Sequence, residues 1–285
     1  MSLTEPHRLI GELVKYGRRS VEIDLWRCRT YLALAEYDNA RDALASASDM
    51  VSAGNSWRVA WHAAVLALAE AEEREATVST AVDLFTEVHR SLPGELAPRL
   101  ALGFCAEHLG QLSEAERHYG VVWRTDRTQA SAAFGLARIH LASQARDEAV
   151  RILDEVPAVS RYREAARIAA VRVRACRLDD AVLPGPDDLG DAVRRLGAEG
   201  TDADPTRVRL VTLVRQAALD LVATAAPESL NGLPVGPVLG SPVTRDGLRG
   251  LLFESFRDLA DQARNENQRG TLLDLAYAVR PRKRW

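Results

Sequence analysis

The chain has 285 residues, of which 47% are hydrophobic and 27% charged, and this composition excludes wholesale disorder. A net charge of −3 gives no electrostatic reason to expect a nucleic acid partner. No run of about 18 apolar residues occurs, and the N-terminus lacks the apolar core of a signal peptide. These properties predict a cytoplasmic protein without a membrane partner.

In chain order, residues 1–20 are expected to form an N-terminal leader or linker, and the opening Met-Ser-Leu would fit an artefact of domain excision. Helical spacing begins near Val21, and the second helix of this first unit carries Ala40 and Leu44. The corresponding alanine of the next unit, Ala81, comes 41 residues later. The surplus falls in the charged stretch 71–75, which is expected to lengthen a helix pair.

A period of 34 residues is the clearest signal in the chain. Ala81, Phe85 and Pro93 have the spacing of the second helix of a tetratricopeptide repeat, and Ala115 follows Ala81 by 34 residues. Small residues at these points let two helices approach, and a large neighbour fills the gap beside them. Four repeats are therefore predicted over residues 21–160. Their structural positions are Ala40, Leu44, Ala81, Phe85, Pro93, Gly103, Ala115, Tyr119, Ala149 and Leu153.

Residues 161–285 are predicted to form degenerate repeats and capping helices. Pro205 suits the first turn of a helix, whereas residues 226–243 are rich in proline and glycine and are expected to form a loop. Such a loop serves either as a plain connection or as a packed lid. The predicted fold is all-α, a superhelical solenoid of tetratricopeptide repeats with a C-terminal helical cap. The expected terminal core consists of Phe253, Phe256, Leu259, Leu272, Leu275 and Tyr277.

The usual signatures of catalytic and metal sites are absent from the sequence. There is no H-E-x-x-H, G-x-S-x-G, paired C-x-x-C or H-R-D motif, and Cys28, Cys105 and Cys176 lie too far apart to suggest a metal site. We therefore expect no catalytic, cofactor-binding or metal-binding residue. An enzyme with a site under residues 232–241 is disfavoured because no titratable residues cluster there. A transcription regulator is disfavoured because no basic recognition helix occurs.

The repeat register places several residues on the concave side of the first helices. These candidates for partner binding are Arg29, Phe104, Glu107, His108 and Arg138. Their polar groups could hydrogen-bond an extended peptide or a helix of a partner protein. Simple solvation of the groove is the alternative.

Five segments carry a more specific resemblance: residues 93–102, 132–138, 153–157, 247–249 and 279–281. In order along the chain they resemble the C-terminal repeat region of actinobacterial serine/threonine kinases of the protein kinase G type. The resemblance runs from about Trp57 to Pro281 and includes parts outside the repeats.

This resemblance implies the regulatory tail of a larger protein, with a rubredoxin-like metal segment and a kinase domain upstream. ATP and Mg would belong to that kinase domain, and no cofactor to this chain. The implied partners are other proteins or peptide segments, among them the kinase domain itself, kinase substrates and a second copy in a homodimer. The alternative is a stand-alone cytosolic scaffold or adaptor that has kept only the repeats.

Overall fold

The computed structural model describes residues 8, 10–12, 20–51, 56–74, 78–178, 182–197, 204–224 and 232–281. Over these ranges it contains thirteen helices of nine residues or more and no β-strand, which confirms the predicted all-α class. The chain divides into two compact units, Met1–Gly135 and Leu136–Trp285. Most of the predicted leader lies outside the described residues, and the predicted boundaries at residues 20 and 160 stay predictions.

The first unit is a series of helix hairpins. Consecutive helices α1 and α2, α3 and α4, and α5 and α6 pack together, and each hairpin also contacts the next through α2 and α3 or α4 and α5. This is the stacking by which repeats bury apolar faces that no single hairpin could bury alone. The helices are α1 Val21–Ala33, α2 Tyr37–Ser48, α3 Ser56–Arg74, α4 Ser79–Ser91, α5 Leu96–His108 and α6 Leu112–Thr125, and α7 Ala130–Ala142 follows.

Helix α3 accounts for the one irregular step in the repeat. It has 19 residues, whereas α5 has 13. The six additional residues lengthen the helix by roughly 9 Å at 1.5 Å of rise per residue. The predicted lengthening of a helix pair near residues 71–75 is confirmed.

The backbone repeats the same turn at the predicted period. Gly110, between α5 and α6, has a φ of 70°, and Gln144, exactly one period of 34 residues later in the chain, has a φ of 60°. Glycine adopts this left-handed conformation without steric cost, whereas glutamine does not. The recurrence of the conformation at Gln144 indicates that the repeat geometry overrides the local preference of the residue.

Large and small side chains alternate in the core of the first unit. Phe85 is 1% exposed and meets the ring of Trp61 edge-on, with 5.3 Å between ring centroids. Tyr119 is 2% exposed, and its ring lies against Gly103 on α5 and Gly135 on α7. Among the predicted repeat positions Pro93 is exposed; the buried ones are Ala40, Leu44, Ala81, Phe85, Gly103, Ala115, Tyr119, Ala149 and Leu153.

The second unit is helical throughout its core, and local sequence signals set its helix starts. Pro186 and Pro205 are the first residues of their helices, where the missing N–H has no intrahelical acceptor to lose. Thr244 and Asn265 cap the last two helices by accepting hydrogen bonds from the backbone N–H groups of Gly247 and Gln268. The helices are α8 Arg146–Asp154, α9 Arg163–Ala175, α10 Pro186–Gly197, α11 Pro205–Thr224, α12 Arg245–Asp261 and α13 Glu266–Val279.

The described part of the Pro/Gly loop, residues 232–243, is not helical, as predicted, and it packs on the core of the second unit. Leu233, Val238 and Leu239 are at most 8% exposed and belong to the same apolar cluster as residues of α10 and α11. Arg215 of α11 donates hydrogen bonds to the carbonyl oxygens of Val238 at 2.8 Å and Pro237 at 3.2 Å. The loop is therefore a packed part of the fold rather than a plain connection.

The predicted terminal core is only partly correct. Leu275 is 44% exposed and Tyr277 is 63% exposed, whereas Ala276 between them is 1% exposed. Helix α13 packs on α12 through the face that carries this small residue, which turns the two larger neighbours away from the interface. Among the described residues no other helix covers the outer face of α13.

Candidate protein-binding surface

The five residues predicted to bind a partner lie on first helices of the repeats. Arg29 is exposed on α1, His108 is exposed and Phe104 and Glu107 are partly buried on α5, and Arg138 is exposed on α7. Four of the five belong to the first unit. Arg138 belongs to the second unit.

Two of the three α5 candidates have contacts within the fold. The Tyr119 hydroxyl donates a hydrogen bond to the Glu107 carboxylate over 2.8 Å. Phe104 and His108 lie one helical turn apart, and their ring centroids are separated by 5.1 Å. Glu107 thus satisfies the polar end of a buried tyrosine, which gives it a structural role beside any contact with a partner.

Arg29 lies at a cleft between α1 and α3 that the sequence interpretation missed. The cleft has a volume of about 220 Å³ and contains three of the chain's five tryptophans. Trp57 and Trp61 are four residues apart on α3, a spacing that places side chains on one helix face and was visible in the sequence. We call this site the tryptophan cleft; it is lined chiefly by Glu22, Trp26, Arg29, Trp57, Arg58 and Trp61.

The two arginines of the tryptophan cleft differ in their partners. Arg58 forms an ion pair with Glu22 and lies over the ring of Trp57, 5.4 Å from its centroid. Arg29 lies 5.7 Å from the centroid of the Trp26 ring, and within the described residues it has no carboxylate partner. The cleft therefore combines aromatic surface with one positive charge that no described acidic group neutralises.

Comparison with known proteins gives the context of this surface. Residues 8–283 match the model of the family described as "Protein kinase G tetratricopeptide repeat". The chain belongs to this family. Family membership confirms the resemblance found in the sequence and the assignment of the chain to a tetratricopeptide repeat region.

The relatives of this repeat chain include two kinases. Serine/threonine-protein kinase PknG of Mycobacterium leprae is 36% identical over 92% of the chain, and that of Mycolicibacterium smegmatis is 37% identical over the same share. The chain spans about a third of the length of each kinase, 32% in both cases. A solved structure, the C-terminal part of a TPR repeat-containing protein from Cytophaga hutchinsonii, is similar with a TM-score of 0.48 and 12% identity, covering 97% of this chain and 90% of that one.

The protein kinase G repeat chain has a second, larger cleft, with a volume of about 810 Å³, in its second unit. There Arg174 donates to Asp188 at 2.8 Å and to Asp191 at 2.9 Å, and Arg195 binds both carboxylate oxygens of Asp154 at 2.7 and 2.8 Å. Burial raises the pKa of Asp191, but hydrogen bonds and charge from the two arginines outweigh it, and the pKa is lowered. These contacts tie α8, α9 and α10 together, so the charges of this cleft mainly stabilise the fold.

The described part of the chain offers no metal centre and no membrane span. No group of three or more His, Cys, Asp or Glu side chains there is arranged to hold a metal ion. No described helix is both long and apolar enough to cross a bilayer. Burial raises the pKa of the Cys28 and Cys105 thiols to about 11, which keeps both in the unreactive protonated form.

Proposed function

We propose that this chain is a protein-binding module that serves as the regulatory repeat domain of a serine/threonine protein kinase. The observation that carries the proposal is the family match over residues 8–283. Stacked helix hairpins present a row of side chains from successive first helices, and such surfaces bind peptide segments or helices of other proteins. The partners of the proposal are the kinase domain and its substrates.

In this proposal the catalytic step takes place outside the chain. The two kinase relatives are about three times as long as the region they share with it. ATP and Mg would be bound by the kinase domain, and the repeat chain would position substrates in the cytoplasm. A stand-alone adaptor that binds partners without a kinase is the alternative.

An immunoblot of the source organism's lysate, with antibody raised against this chain, separates the two alternatives. The chain has a mass of 31.2 kDa. A band heavier than this by at least a kinase domain supports the regulatory domain. A band at the mass of the chain itself refutes it and leaves the adaptor.

The binding function is tested by deleting the repeat chain from the kinase that carries it. The expected result is weaker capture of protein substrates, measured by co-precipitation, with phosphorylation of a short generic peptide retained. Unchanged capture and unchanged turnover of protein substrates would contradict the proposal.

Self-association is a further part of the proposed function. Sedimentation equilibrium of the purified chain, at several concentrations, measures it directly. A mass near 62 kDa would be about twice the 31.2 kDa of one chain and would support a homodimer. A single mass of one chain at all concentrations would remove the homodimer from the proposal.

A further inference from the structure

We propose that the tryptophan cleft binds a segment of a partner protein in which an aliphatic or proline side chain stands next to a carboxylate. The proposal rests on the proposed function and deepens it, because it names a binding site and the chemistry of its partner. It places recognition on α1 and α3, at one end of the repeats, rather than on the α5 residues that the sequence register favoured.

The size of the cleft sets the size of what it can hold. Small-molecule sites usually have volumes of about 300–1,000 Å³. The tryptophan cleft, at about 220 Å³, is smaller. It is suited to one or two side chains of a polypeptide whose backbone runs across its mouth.

The walls of the cleft favour an apolar side chain. Trp26 is 52% exposed, the second most exposed of the large aromatic side chains in the described residues after Tyr277. Trp57 and Trp61 form the opposite wall on α3, and Trp61 is held edge-on against the buried Phe85. Rigid tryptophan rings supply large contact areas at a low cost in conformational entropy, and they are enriched among residues that dominate binding energy.

The charges of the cleft favour a carboxylate beside that apolar side chain. Glu22 is engaged by Arg58, whereas Arg29 has no acidic partner within the described residues. A carboxylate of the partner can therefore pair with Arg29 without breaking an existing ion pair. A lysine or arginine of a partner would instead face Arg29 and be repelled.

The experiment measures binding of the purified chain to three sets of immobilised ten-residue peptides. All carry a central leucine or proline, and the flanking positions are glutamate in one set, glutamine in the second and lysine in the third. Binding to the glutamate set is expected to be strongest and to weaken with added salt, because salt screens the pairing with Arg29. Peptides in solution should also change the tryptophan fluorescence, since three tryptophans line the site.

Variants assign the binding to the cleft. Arg29→Glu and Trp26→Ala are each expected to weaken binding of the glutamate peptides about tenfold or more. Arg90→Glu makes the same charge change at an exposed position on α4, and Tyr277→Ala removes an exposed aromatic ring in the second unit. Both control variants are expected to bind as the unaltered chain does. Unchanged circular dichroism of all four variants shows that folding is retained.

Three outcomes overturn the proposal. They are equal binding of the three peptide sets, no binding of any set, and a loss of binding in Arg29→Glu no larger than in Arg90→Glu. These outcomes are distinguishable from failure of the proposed function. If the kinase still captures its protein substrates through the repeat chain when Trp26 and Arg29 are replaced, the binding function stands and the tryptophan cleft is not its site.

Discussion

Tyr119 is held between glycines on two different helices. A Cβ atom placed on Gly103 would lie 2.8 Å from the Cε1 atom of Tyr119, and one placed on Gly135 would lie 2.5 Å from its Cε2 atom. Both distances are shorter than carbon atoms tolerate. The ring is nearly inaccessible to solvent, so it has no space into which it could move.

The first prediction concerns Gly103→Ala. We expect the free energy of unfolding to fall by about 1–3 kcal/mol because the added methyl group overpacks the site. In a Tyr119→Ala background the same change should become neutral or stabilising by up to about 1 kcal/mol, since alanine is the better helix former. Urea unfolding of the four proteins measures this double-mutant cycle. The same sign of the Gly103→Ala effect in both backgrounds would contradict the packing described here.

The second prediction concerns Phe85, which is 1% exposed. Phe85→Ala should lower the free energy of unfolding by about 3–5 kcal/mol, because it leaves a cavity beside Trp61. The partly buried Phe104 provides a control, and Phe104→Ala should cost clearly less. Urea unfolding followed by circular dichroism measures both, and equal losses would place Phe85 outside the core.

At the scale of single residues, the sequence predicted positions better than contacts. The period of 34 identified Gly103 and Tyr119 as a small and a large partner, because repeat spacing constrains residue size. It did not identify Gly135 as the second wall of the tyrosine site. The tryptophan cleft was missed because its walls come from two helices that are separated in sequence, and no periodic signal links Trp26 to Trp57.

The Pro/Gly loop is the element whose structure depends most on a single distant side chain. Arg215 donates hydrogen bonds to two carbonyl oxygens of the loop, and on α12 to the Leu251 carbonyl oxygen at 3.1 Å and the Ser255 hydroxyl at 2.5 Å. Burial lowers the pKa of Arg215. One guanidinium group thus joins α11, the loop and α12.

The third prediction is that Arg215→Ala loosens this element. We expect a loss of roughly 2–4 kcal/mol of unfolding free energy, because several buried acceptors lose a charged donor. Arg215→Lys should recover little of it, since a single ammonium group cannot reproduce the planar fork of a guanidinium. Limited proteolysis within residues 232–243 and urea unfolding measure the effect.

Arg209 provides the matched control for this prediction. It is exposed on the same helix, so Arg209→Ala should leave both proteolysis and stability unchanged. If Arg215→Ala also left the loop resistant to protease, the arginine would not hold the loop in place.

Helix positions were the most predictable feature at the scale of elements. Pro205 marked the start of α11, and the proline- and glycine-rich segment was recognised as non-helical because these residues restrict the backbone in known ways. The packing of that loop could not be predicted, since it depends on Arg215, which precedes it by more than twenty residues. Tyr277 was wrongly assigned to a core because helical spacing does not tell which face of a final helix is covered.

For the molecule as a whole, pH should act through two histidines of the first unit. Burial lowers the pKa of His118 from its ordinary value of 6.5, and the nearby Arg117 adds to the effect. The pKa of His89 is also lowered, first by burial and then by Arg99. Below pH 6.5 the unfolded chain therefore binds more protons than the folded one, and stability falls as the pH falls.

The fourth prediction is a lower urea midpoint at pH 5.5 than at pH 7.5. The difference should shrink when His118 and His89 are both replaced by asparagine, which does not titrate. Glu114 does not interfere in this range: a hydrogen bond from Arg117 lowers its pKa to about 2, so its contribution is lost only as the pH falls below 4.5. An equal pH difference in the double variant would exclude the histidines as the cause.

The packing of Tyr119 also has a consequence for how this family can vary. One period before Gly103, Tyr119 and Gly135 the chain carries Ala69, Phe85 and Ala101, and one period after them it carries Ala137, Leu153 and Ala169. The ring with a hydroxyl group thus occurs with two glycines, and the smaller side chains occur with two alanines. We expect the three positions to change together among related chains, so that an alignment would show correlated substitutions joining residues that are up to 32 positions apart.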